Sequence, residues 1–130
     1  MLVTLYFSKD YLALTPKQKK QICNGVGAKG AWYNLLIPGK KVFHEPANGH
    51  DSDYYFGKTK EDKEIADRRF NQNNNRIVEA TKNPILKKCR KVLAKSMFIA
   101  VRDFGDEAYW KDKIVDEENS KSKEIEVWKK

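Results

Sequence analysis

Residues 46–57 read PANGHDSDYYFG. Glu45-Pro46 suits the opening of a helix, and Gly57 suits its stop. On a helix over this stretch, His50 and Tyr54 stand at i and i+4 and share a face. Asp51 is turned about a quarter circle away and serves a neighbouring surface. His50 and Tyr54 can therefore meet a partner helix while Asp51 meets a cleft or a loop.

The partner helix is the next one in sequence. Thr59 is its N-cap, and Asp62 three residues on makes a weaker form of the capping box. The link at 57–59 is short, so the two helices are antiparallel neighbours. Ile65, Ala66, Phe70, Ile77 and Val78 recur at mostly helical spacing. Asp67 sits beside Ala66 in that stripe, as a candidate inward-facing carboxylate. A buried carboxylate needs hydrogen-bond donors. An imidazole N–H and a tyrosine hydroxyl supply two. An aspartate that fixes the tautomer of His50 leaves the other ring nitrogen free to act as a general base.

Upstream, Thr15 at an N-cap and Pro16 at the first helical position start a helix that runs to about Cys23. "NGVGAKG" at 24–30 has three glycines in seven residues and reads as a loop. A turn falls at Pro38-Gly39. Loop carbonyls are hard oxygen ligands, and with a carboxylate such as Asp51 they suit Ca²⁺. Downstream, a break at 81–83 precedes a third long helix from Pro84 to about Phe104, with Gly105 as its stop. Leu86, Cys89, Leu93, Met97, Ala100 and Phe104 line one face of it. Ile85, Val92 and Ile99 widen that face, and such width predicts a well-buried helix. Residues 106–113 add a short helical turn, and 115–130 read as a charged, partly ordered tail.

The chain has 130 residues, enough for one domain with a modest core. Its 40% apolar and 34% charged residues place it among globular rather than disordered chains. The net charge of +8 favours anionic partners: nucleic acid, an anionic membrane surface or phosphate-bearing substrates. Two cysteines, Cys23 and Cys89, are too few for a disulfide scaffold. A reduced compartment is the simplest reading, with a single Cys23–Cys89 bridge left open. The N-terminus lacks a basic n-region and makes a poor signal peptide. No apolar run approaches a bilayer span.

"CNGVGAKG", then "GHDSDYYFG", then "ADRRF" together resemble the phospholipase A2 superfamily over roughly residues 15–80, nearest its compact, disulfide-poor bacterial, phage and viral forms. The resemblance implies a mostly α fold with two antiparallel long helices and an additional C-terminal helix, in a domain over 1–114 followed by the tail. It implies calcium held by the carbonyls of Cys23, Gly25 and Gly27 and by the Asp51 carboxylate. It makes His50 the base, Asp67 its orienting carboxylate and Tyr54 a donor to Asp67. The Gly25 N–H is a further candidate donor to the oxyanion. The implied activity is calcium-dependent hydrolysis of the sn-2 ester of glycerophospholipids at a membrane surface. A cytoplasmic or virion-associated protein acting peripherally would fit. The chain departs from the secreted enzymes at Asn48 and Gly49, where they carry flanking cysteines. The connection from Gly27 to His50 is also longer.

Two other function classes stay in view. One is an inactive, phospholipase-like binding or structural module. The other is a basic nucleic-acid-binding protein, which rests on charge alone because no recognised motif appears. Several residues have plainer readings. Asp53 is expected to be a solvated helix residue, and His44 to lie in the loop before the helix. "NQNNN" at 71–75 is expected on an exposed face, and "KKCRKVLAK" at 87–95 as a lysine-rich solvated one. Trp32, Tyr33, Leu35, Leu36 and Ile37 are most simply core. An apolar rim entering a bilayer is the alternative for them.

Overall fold

The computed structural model describes residues 2–23, 40–111 and 113. The glycine loop with Gly25 and Gly27, the turn at Pro38-Gly39, the apolar run around Trp32 and the tail at 115–130 lie outside them. The described residues form helices and no strand: α1 Lys9–Leu12, α2 Pro16–Ile22, a 3-10 turn Lys40–Phe43, α3 His44–Phe56, α4 Lys60–Ala80 and α5 Pro84–Phe104. Residues 106–111 are also helical. The mostly α class is thereby established. No helix among the described residues is long and apolar enough to cross a membrane.

Local chemistry sets the helix starts. Thr15 and Thr59 each accept from the backbone N–H three residues on, and Gln18 and Asp62 return the bond, so both helices carry a complete capping box. Asn83 caps α5 through the Leu86 N–H, with Pro84 at its first position. Both glycine stops are present, but neither has left-handed backbone: φ is −65° at Gly57 and −85° at Gly105. They are glycines because space is short. A Cβ on Gly57 would stand 2.7 Å from the Tyr109 hydroxyl, and one on Gly105 2.6 Å from the Tyr54 hydroxyl.

The three long helices pack in sequence, α3 on α4 and α4 on α5, with α1 and α2 against α3. His50–Asp67 and Asp53–Arg69 tie α3 to α4, and Ala47, early in α3, clusters with Phe70, Ile77 and Val78 while Tyr54, late in α3, clusters with Ala66, as an antiparallel pair requires. Glu79–Lys87 at one end and Lys63–Val101 at the other set α5 antiparallel to α4. The main core is Phe43, Ala47, Phe70, Ile77, Val78, Leu93, Ala94, Met97 and Val101. A smaller cluster gathers Tyr54, Ala66 and Tyr109.

The structure corrects several sequence expectations. Ile65 is exposed, because the buried row of α4 runs one residue over, through Lys63, Ala66, Asp67, Phe70, Asn73, Asn74, Ile77 and Val78. Asn73 and Asn74 are therefore interior rather than on an exposed face. Asn73 accepts from the Tyr6 N–H at 3.0 Å and donates to the Tyr6 carbonyl at 2.8 Å, fastening the extended N-terminal arm to α4. Helix α5 buries a narrower face than its composition suggests: Leu93, Ala94, Met97 and Val101 are inside, while Ile85, Val92, Ile99 and Phe104 are exposed. His44 is the first residue of α3 rather than part of a loop.

Candidate functional site

Helix α3 is a poor helix on local grounds. It contains Asn48, Gly49, Asp51, Ser52 and Asp53, and no side chain caps its start. Its buried residues include His50, Asp51 and Ser52 rather than a run of aliphatics. Tertiary packing must hold it. A helix that buries polar groups against its own propensity marks a place where stability is given up for something else.

The His50 ring is enclosed by Tyr54, at 4.1 Å between ring centroids, and by Phe70, at 4.7 Å. Its Nε2 lies 2.8 Å from Asp67 Oδ1. The Tyr54 hydroxyl donates to the same oxygen at 2.8 Å. Both side chains sit on the α3 face that meets α4, as the i, i+4 spacing requires.

Lys63 is the member of this cluster that sequence reading missed. Its Nζ donates to Asp67 Oδ2 at 2.8 Å and to the Val101 carbonyl at 3.0 Å, and lies 3.5 Å from Asp106 Oδ1. The side chain is 7% exposed, so a full charge is buried and answered by a carboxylate and a helix-end carbonyl. The signal was present, since Lys63 stands at i−4 from Asp67 on the same face. Burial raises the Asp67 carboxyl, but hydrogen bonds from His50, Lys63 and Tyr54 outweigh it and leave the group below its ordinary range. Burial, and then the Asp67 charge, push the Tyr54 hydroxyl far up, so it remains a donor.

Asp51 is different. It is 6% exposed, and its Oδ2 has no hydrogen-bond partner among the described residues. Burial alone lifts its carboxyl from 3.8 to about 8. A buried carboxylate oxygen without a donor suits a cation, and the chemistry of this group fits the calcium ligand expected of it. The loop's first residue reaches this region. The Cys23 thiol donates to the Asn48 carbonyl at 3.2 Å, one turn before Asp51. Burial, and next the Asp51 charge, raise that thiol to about 11. Both cysteines are free, Cys89 on the surface, so the bridge left open by the sequence is absent.

Asp53 is not solvated. Its side chain is 8% exposed and accepts from Arg69 at 2.7 Å, a second tie between α3 and α4. The Tyr11 hydroxyl donates to Glu45 and holds α1 against the start of α3. A scan against protein-family models found no match, and searches of curated proteins and of solved structures found none either.

Proposed function

We propose that the chain is a calcium-dependent lipid esterase that hydrolyses the sn-2 ester of glycerophospholipids, in the manner of the phospholipase A2 superfamily it resembles. The observation that carries this reading is one buried constellation on two helices: His50 and Tyr54 on Asp67, with the unpartnered Asp51 oxygen next in sequence to His50.

In this reading His50 is the general base. With Nε2–H held by Asp67, Nδ1 is the nitrogen that takes a proton from water as the water oxygen attacks the ester carbonyl. Collapse of the tetrahedral intermediate breaks the ester C–O bond, and the imidazolium returns the proton to the departing alkoxide, releasing fatty acid and lysophospholipid. Asp67 keeps the ring aligned and offsets the charge that develops on it. Tyr54 and Lys63 keep Asp67 ionised and fixed. Phe70 closes one side of the ring to solvent. Asp51, with the carbonyls of Cys23, Gly25 and Gly27, would hold Ca²⁺, which when bound supplies a positive charge for the substrate phosphate and the developing oxyanion. No covalent enzyme intermediate is needed.

The test is release of fatty acid from phospholipid vesicles with calcium and with EGTA. We expect His50→Ala to lower the rate by about 10²–10⁴-fold, and Asp51→Asn to remove the calcium dependence together with most of the rate. Hydrolysis that survives both substitutions would sink the mechanism. Absence of turnover on every phospholipid tried, in a folded protein, would favour the inactive module.

A further inference from the structure

Helix α5 lies beyond the region that carries the family resemblance, and its outer face has an order of its own. Ile85, Val92 and Ile99 are spaced by seven residues and form one row. They are 78%, 62% and 37% exposed. Three residues after each comes a base: Lys88, Lys95 and Arg102. An apolar row and a basic row thus run side by side along the helix, away from its buried face at Leu93, Ala94, Met97 and Val101.

The charge on this helix is one-sided. Its acidic residue is Asp103, which Arg102 neutralises at 2.9 Å. Lys88, Lys91 and Lys95 are exposed and have no ion pair among the described residues. A partner must therefore offer negative charge and an apolar phase in adjacent strips. The interface of an anionic bilayer offers both: aliphatic side chains enter the acyl boundary while lysines extend to the headgroups. A second copy of the helix fits poorly, because it brings no acidic row to answer the lysines: its one carboxylate, Asp103, is already held by Arg102. A nucleic-acid backbone would answer the lysines but leave the isoleucines and valine in water.

We propose that the outer face of α5 is an anionic-membrane docking surface that holds the protein on a lipid bilayer independently of the His50 site. It goes beyond the esterase reading and does not rest on it.

The experiment is co-sedimentation with vesicles of phosphatidylcholine alone and of phosphatidylcholine mixed with phosphatidylserine. It uses the full chain carrying His50→Ala, in EGTA, so that hydrolysis plays no part. We expect binding to the mixed vesicles that weakens as salt is raised. Lys88→Gln with Lys95→Gln should weaken it by about 25-fold, roughly fivefold for each charge. Ile85→Ser with Val92→Ser should weaken it by at least about tenfold. Circular dichroism of each variant should match the parent, since the altered side chains are exposed. Equal binding to neutral vesicles, or unchanged binding by both double variants, would overturn the proposal. So would duplex DNA binding with vesicles ignored, or a dimer that Ile85→Ser with Val92→Ser dissolves. Docking without hydrolysis by the wild-type chain would refute the esterase reading alone.

Discussion

Asp51 couples stability to pH, and on the proposed reading to calcium as well. Its carboxyl titrates at about 8 in the folded chain, against 3.8 for a free side chain. Between those values the folded state binds more protons than the unfolded state, so stability falls as pH rises. At about 1.4 kcal/mol per unit, a climb from about pH 5 to about pH 8 removes roughly 3–4 kcal/mol. That is a large share of the stability of a small domain. Asp51→Asn carries no charge at either pH and loses this slope. It keeps whatever Asp53 contributes, since burial raises that carboxyl too, against the opposing pull of Arg69. The assay is urea unfolding of wild type and Asp51→Asn over this pH range, in EGTA and in calcium. In EGTA the wild type should lose stability toward high pH more steeply than the variant. Calcium should restore the wild type, most at the alkaline end where Asp51 is ionised, and leave the variant unmoved. Parallel pH curves for the two proteins, or a wild type indifferent to calcium, would refute the assignment of Asp51 as a buried, cation-seeking carboxylate.

Three further outcomes are expected. Lys63→Met strips Asp67 of its buried counter-charge and should cost about 3 kcal/mol in chemical denaturation. Adding Asp67→Asn should return at least about 1 kcal/mol of that as a coupling energy. Asn73→Ala leaves the Tyr6 N–H and carbonyl without their partner, for about 2 kcal/mol, with faster amide exchange at Tyr6 as the specific readout. Gly105→Ala places a methyl 2.6 Å from the Tyr54 hydroxyl and 2.3 Å from the Val101 carbonyl. It should destabilise by about 1–3 kcal/mol and, if Tyr54 is forced off Asp67, slow vesicle hydrolysis as well.

Helix positions were largely legible, because their starts are written in local chemistry: Thr15, Thr59 and Asn83 cap, while Pro16 and Pro84 preset the first turn. The meeting of His50, Tyr54 and Asp67 was also legible, since a short link and helical spacing leave few other arrangements. Faces were harder. In α4 the apolar residues alone drew the stripe toward Ile65, whereas the interior row is continued by the polar Lys63, Asp67, Asn73 and Asn74. Hydrophobicity cannot reveal a polar residue that is inside because another element satisfies it. Lys63 needs the Val101 carbonyl and Asn73 needs the Tyr6 backbone, and both partners lie far away in sequence. In α5 the error ran the other way. Ile85, Val92 and Ile99 look like core by composition, yet α4 covers one side of the helix and they stand on another. Gly57 and Gly105 were placed correctly but for a different cause, since tyrosines from other elements occupy the space a Cβ would need.

The Lys63 ammonium is a junction of three helices: rooted in α4, it holds the carboxylate that receives His50 and Tyr54 from α3, and it grips the last turn of α5. Alignment of the histidine therefore draws on all three long helices. A chain in which α5 has not docked lacks the Val101 carbonyl that anchors Lys63, and should hold Asp67 and the imidazole less firmly. On the proposed reading, docking of α5 is the step that completes the site.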